Sequence, residues 1–267
     1  MLKLDAYKLK WIAIIAMILN HMVIAWWEII PLPLAYPMYL VGGLTFPIMA
    51  FFVVEGYKHT SNLKRYVGRI LIVGLIALPF HFLTLGLALA PNLNIMFTIA
   101  LSLGVLKLYD KFEGGPMFWL PYVFIIAPIS LFFFEWSFPG VTMVLLFYII
   151  KDEKSRRFWP PVIAILLNFA ISIILVVPKM MSGLIDGEIY DAELTGLTAD
   201  PNFALVSMTF LVGMFASSFV LRMYNGERGK KMKWLFYAFY PGHLAVLAIV
   251  ALILGLVNFD TIQGWLT

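Results

Sequence analysis

The segment "KWIAIIAMILNHM" holds two residues able to do chemistry, Lys10 and His21, with Asn20 the single polar residue between them. They stand eleven residues apart. At about 3.6 residues per turn this is almost three whole turns, so one helix face carries both, ~16 Å apart along the axis. A cation at the end of a span suits phosphate, and an imidazole in its interior suits proton transfer. Two more imidazoles reach comparable depth. His243 lies in "FYAFYPGHLAV" beside Pro241, and His81 in "ALPFHFL" beside Pro79. Glu55 and His59 stand at i and i+4, where a helix lets them hydrogen-bond. Arg65 and Arg69 repeat that spacing with Lys64 adjacent, a cluster suited to phosphate groups. One interior histidine can be a satisfied interhelical hydrogen-bonder, and Lys64 and Arg65 can serve topology alone. Three histidines at related depths, with Arg69 set deeper, go beyond that account. Ionisable groups inside a span are expensive and mark function. No glycine-rich phosphate loop, carboxylate dyad or metal-ligand spacing stands out, so no metal is predicted.

The elements that must position these groups are membrane helices. The 267 residues are 62% hydrophobic and only 13% charged, against about 25% charged in a soluble domain. An all-α, polytopic membrane bundle follows, as a single unit over residues 1–267 with no soluble domain. A span needs about 20 apolar residues. Nine candidates meet or approach that: 8–30, 36–57, 65–86, 94–110, 116–134, 140–151, 158–178, 203–222 and 232–256, with ten as the upper count. The sixth is short, a half-helix or a strongly mismatched span. Lys and Arg concentrate before the first span and after the second, fourth, sixth and eighth, with Lys179 the exception. By the positive-inside rule the N-terminus is cytoplasmic and the C-terminus outside. Asp186, Glu188, Asp191, Glu193 and Asp200 gather in an outer loop, and Glu28 and Glu135 fall at outer ends. Cysteine is absent, which excludes disulfides and thiolate nucleophiles. The net charge of +4 belongs to lipid and topology rather than to nucleic acid.

These motifs resemble a family of membrane acetyltransferases of the TraX type, similar to the larger acyltransferase type three superfamily. The Lys10-to-His21 spacing resembles the motif of the first span. "LTFPIMAFFVVEGYKHTSNLKRYVGRILIVGLIALPFHF", "NIMFTIALSLGVL" from Asn94 and "FYPGHL" from Phe239 resemble three more. Two departures are visible: Asn20 stands where the family often has Asp, and the arginine pair reads R-x-x-x-R rather than R-x-x-R. The resemblance implies acetyl transfer from cytoplasmic acetyl-CoA to an acceptor at the outer face, either a pilin or peptide amine or a cell-surface sugar hydroxyl. It implies His21 as the catalytic base, with Asn20 and His243 beside it. Lys10, Lys64, Arg65 and Arg69, with Glu55 and His59, fall on the CoA side. His81, Asn94 and Tyr240 fall on the acceptor side.

The expectation is therefore an acetyl-CoA-dependent transferase in a lipid bilayer, the bacterial cytoplasmic membrane, with CoA and an extracytoplasmic peptide or glycan as partners. A proton-coupled transporter with a histidine relay is the alternative. Internal repeats would favour it, and none relates the two halves. A purely structural assembly protein would explain the hydrophobicity but not the interior polar residues.

Overall fold

The computed structural model describes residues 3–86, 92–186 and 201–257. Its helices are α1 (Ala6–Ala25), α2 (Leu32–Gly42), α3 (Thr45–His59), α4 (Leu63–His81), α5 (Ile95–Lys111), α6 (Pro116–Pro121), α7 (Ala127–Phe133), α8 (Ser137–Ile149), α9 (Glu153–Asp186), α10 (Pro201–Arg222) and α11 (Lys233–Ile253). A π-helical turn, Phe82–Gly86, extends α4, and another, Tyr122–Ile126, joins α6 to α7. Both follow a proline, Pro79 and Pro121, which cannot donate to the ladder. Helix starts are written locally. Asp5 accepts from Lys8 N, Asn62 from Arg65 N and Asn94 from Met96 N, each satisfying a donor that the first turn leaves open. Asp152 does the same for α9, and the Ser155 backbone N–H holds its carboxyl below the usual carboxylate range.

Since α2 with α3 and α6 with α7 each form one passage, the described chain crosses the bundle nine times. Seven passages are long and apolar enough to span a membrane, the longest from Leu32 to His59. The other two are shorter: the sixth, as expected, and also the fourth. α5 and α8 have seventeen and thirteen residues, ~25 Å and ~20 Å of helix against a hydrocarbon core of about 30 Å. Yet both run from end to end. At one end Asp110 of α5 accepts from Tyr57 of α3 and Tyr148 of α8. At the other, Leu93 ahead of α5 pairs with the Phe133–Glu135 backbone ahead of α8. α8 packs against α3, α5 and α9 and buries Pro139, Gly140, Val141, Met143, Val144, Leu145 and Phe147. A helix surrounded by protein need not match lipid thickness.

The starts of α1, α4, α9 and α11 and the ends of α3, α5, α8 and α10 share the first of these two ends, where the basic connections collect. Leu4 N donates to Met223 O at 2.8 Å and Asn225 N to Leu4 O at 2.9 Å, tying the segment before α1 to the α10–α11 connection. Glu55 accepts a short bond from the buried Arg156, which also donates to Phe147 O and to Glu153. Elsewhere the bundle closes backbone to backbone. A Cβ on Gly213 would sit 1.7 Å from Leu40 O, and one on Gly43 would sit 2.1 Å from Phe210 O. Small residues allow such approach between membrane helices. The acidic segment 187–200 and the chain from 258 onward lie outside the described residues.

Candidate functional site

His21 on α1 and His243 on α11 meet inside the bundle, Nδ1 to Nε2 at 2.7 Å, with ring planes 10° apart. Both are buried, at 5% and 9% exposure. Phe239, one turn before His243, stacks on a face of its ring with centroids 4.7 Å apart. The Phe239 carbonyl lies 2.9 Å from His243 Nδ1. A carbonyl only accepts, so His243 Nδ1 carries the proton and its Nε2 carries a lone pair. His21 Nδ1 must then donate to that lone pair, which leaves the outer nitrogen of His21, Nε2, as an open acceptor. The chain Phe239 C=O, His243, His21 ends in a positioned base. Neighbouring Asn20 faces elsewhere: its Cβ lies where a Cβ on Gly42 of α2 would come to 2.8 Å, and its Oδ1 is buried with no partner among the described residues.

Beneath the pair, at the basic end, Lys10 lies over the rings of Phe52 and Phe236, 5.0 and 5.9 Å from their centroids. Arg69 reaches the same turn of α11, its Nε 3.4 Å from the Tyr237 hydroxyl. Beside them opens a cavity of about 550 Å³ lined by Tyr7, Trp11, Arg228, Lys230, Lys231, Met232 and Leu235. From Trp11 to His21 is ~15 Å along α1. Arg228, Lys230 and Lys231 read in the sequence as topology signals only, because nothing in a basic loop tells that it folds over two aromatic residues of another helix.

Several expected site residues stand apart from this axis. Lys64 and Arg65 are exposed at the start of α4. Glu55 is engaged by Arg156, and His59 is 81% exposed with its Nε2 4.0 Å from Glu55, too far for the hydrogen bond that i,i+4 spacing suggested. Asn94 is fully buried with both amide groups used, Oδ1 capping α5 and Nδ2 donating to Gly74 O at 2.9 Å. It holds α5 against α4.

Above the pair, His81 and Tyr240 do converge. Tyr240 lies 5.6 Å from His243 by ring centroid and is 2% exposed, and its hydroxyl has no partner among the described residues. His81 is 3% exposed; its Nε2 bonds Asn92 O at 3.1 Å, while its Nδ1 has no partner there. Glu135, which the sequence placed merely at an outer end, points into the same space with Oε2 4.0 Å from His81 Nδ1. It is aimed by an unusual backbone, since Trp136 and Ser137 both adopt positive φ, 65° and 48°. Such pairs of strained residues persist only where surroundings over-determine them. Here Trp136 stacks on Phe46 at 4.2 Å.

The chain is 27% identical over 267 residues to the probable fimbrial assembly protein FimC, serogroup H1, of Dichelobacter nodosus, covering 91% of this chain and 94% of that protein. No solved structure matches significantly. A family model described as TraX protein matches residues 6–251, from the first residue of α1 to within three of the end of α11. The chain belongs to the TraX family.

Proposed function

We propose that the protein transfers an acetyl group from cytoplasmic acetyl-CoA to an acceptor at the outer face of the cell membrane, a peptide amine or a sugar hydroxyl. The name of the similar fimbrial protein favours a pilin-like subunit as acceptor. The observation that carries the reading is the open Nε2 of His21, positioned by His243 and set ~15 Å above a cavity lined by cations and aromatic rings.

Arg228, Lys230 and Lys231, with Lys10 and Arg69 alongside, suit the phosphates of CoA, and Tyr7 and Trp11 offer faces for its adenine. The pantetheine arm rises along α1. His21 Nε2 takes the proton of the attacking nitrogen or oxygen as that atom bonds the thioester carbonyl. The C–S bond breaks, and the proton passes to sulfur to give the CoA thiol. His243 keeps the His21 ring oriented and stabilises it when charged.

The test is acetyl transfer by purified His21→Gln beside CoA binding by calorimetry. Removing a positioned base costs about 10²–10⁴ in rate, while CoA affinity stays within a few-fold because the phosphates sit far below. Near-normal turnover by His21→Gln would end the reading.

A further inference from the structure

Above the histidine pair, buried hydrogen-bond acceptors lack donors. His81 Nε2 donates to Asn92 O, so in the neutral ring Nδ1 is an acceptor, buried and unpartnered among the described residues. Glu135 accepts one N–H, from Ile95 at 2.8 Å, and its backbone carbonyl accepts from Thr98. Among the described residues no Lys or Arg pairs with its carboxylate. The Tyr240 hydroxyl is also buried and unpartnered among the described residues. The 4.0 Å between His81 Nδ1 and Glu135 Oε2 is too long for a bond between them. One nitrogen seated between the two, at ordinary lengths of about 2.9 Å, reaches both.

We propose that Glu135 receives the ammonium group of an amine acceptor, with His81 Nδ1 as its other partner, and removes its first proton. This rests on the acetyltransferase reading above. An ammonium brings a charge and three donors, enough for the uncompensated carboxylate and His81 Nδ1 together, whereas a hydroxyl brings one donor. The chemistry also asks for a second base. An amine arriving as R–NH₃⁺ has no lone pair; Glu135 takes one proton, giving R–NH₂ and the carboxylic acid. The amine nitrogen then bonds the acetyl carbon, His21 carries the second proton to the departing sulfur, and Glu135, 19% exposed, releases its own to the outer side. A hydroxyl acceptor needs His21 alone.

The experiment compares Glu135→Gln with wild type on a short peptide with a free N-terminal amine, charged at neutral pH, and on the same peptide bearing an N-terminal aminooxy group, neutral at that pH. Gln keeps a carbonyl for the Ile95 N–H; Glu135→Asp, which keeps the charge on a shorter arm, serves if the Gln variant does not fold. Expected is a loss of about 10²-fold or more in kcat/KM on the charged peptide, the scale of a general base, with the aminooxy peptide within a few-fold of wild type. The Asp variant shows the same selectivity to a lesser degree. Equal losses on both peptides make Glu135 structural or a holder of water, and overturn the proposal. Wild type that acetylates a hexose hydroxyl but neither peptide overturns it too, while leaving the transferase reading intact. Wild type active on no acceptor removes both.

Discussion

The proton order along Phe239, His243 and His21 makes the two histidines unequal. In the proposed transfer His21 offers the reacting nitrogen and His243 offers only orientation and charge stabilisation, through one 2.7 Å contact. His243→Phe keeps the stack on Phe239 but frees the His21 ring to rotate. It is expected to lower kcat for transfer by about 10-fold to 10²-fold, less than loss of the base itself, with CoA affinity unchanged. Titration calorimetry with CoA beside steady-state transfer checks it, and a change confined to CoA binding would refute it. Of these residues, Lys10, His21, His81 and His243 were legible because ionisable groups stand out against an apolar span. Glu135 was not. It lies in "FFFEWSFP", between spans, where an acid costs nothing, and only the left-handed turn at Trp136 and Ser137 directs it inward. Glu55 misled for the opposite reason: its partner Arg156 is about a hundred residues away, so local spacing pointed to His59 instead.

Among the elements, α8 and the α2–α10 crossing decide whether the chamber forms. The crossing leaves no room for a side chain, since even a methyl at Gly213 would overlap Leu40 O. Gly213→Val is expected to abolish monodisperse protein on size-exclusion chromatography, whereas Gly68→Ala, with open space around its Cβ position, leaves the profile unchanged. A monodisperse, active Gly213→Val protein would show that the helices separate freely. The nine passages were legible from hydropathy, but the burial of α8 was not. "GVTMVLLFYII" is as apolar as a lipid-facing segment, and only its length hinted that its neighbours are protein. The break between α2 and α3 falls at the Gly42–Gly43 pair, where α10 approaches closely.

For the molecule as a whole, nine passages with the basic connections at one end fix a parity. A reporter inserted in residues 151–157 is expected to read cytoplasmic, and one placed after α11 extracytoplasmic. Both on one side would remove a passage and, with it, the two-sided route to His21. Salt gives a second reading of the same architecture: CoA affinity should fall steeply with ionic strength, because the cations lining the cavity are near the surface. Arg228→Glu with Lys230→Glu should flatten that dependence, and an unchanged slope would place the phosphates elsewhere.

The tie between Leu4 and the Met223–Asn225 backbone has a practical consequence. That same connection carries Arg228, Lys230 and Lys231, so whatever is fused ahead of Leu4 pulls directly on the mouth of the cation-lined cavity. If the cavity holds the donor as proposed, an N-terminal affinity tag acts as a hidden mutation of donor binding, and purification handles belong after α11. A weak CoA isotherm from an N-terminally tagged preparation should be repeated with the tag removed before any residue is blamed.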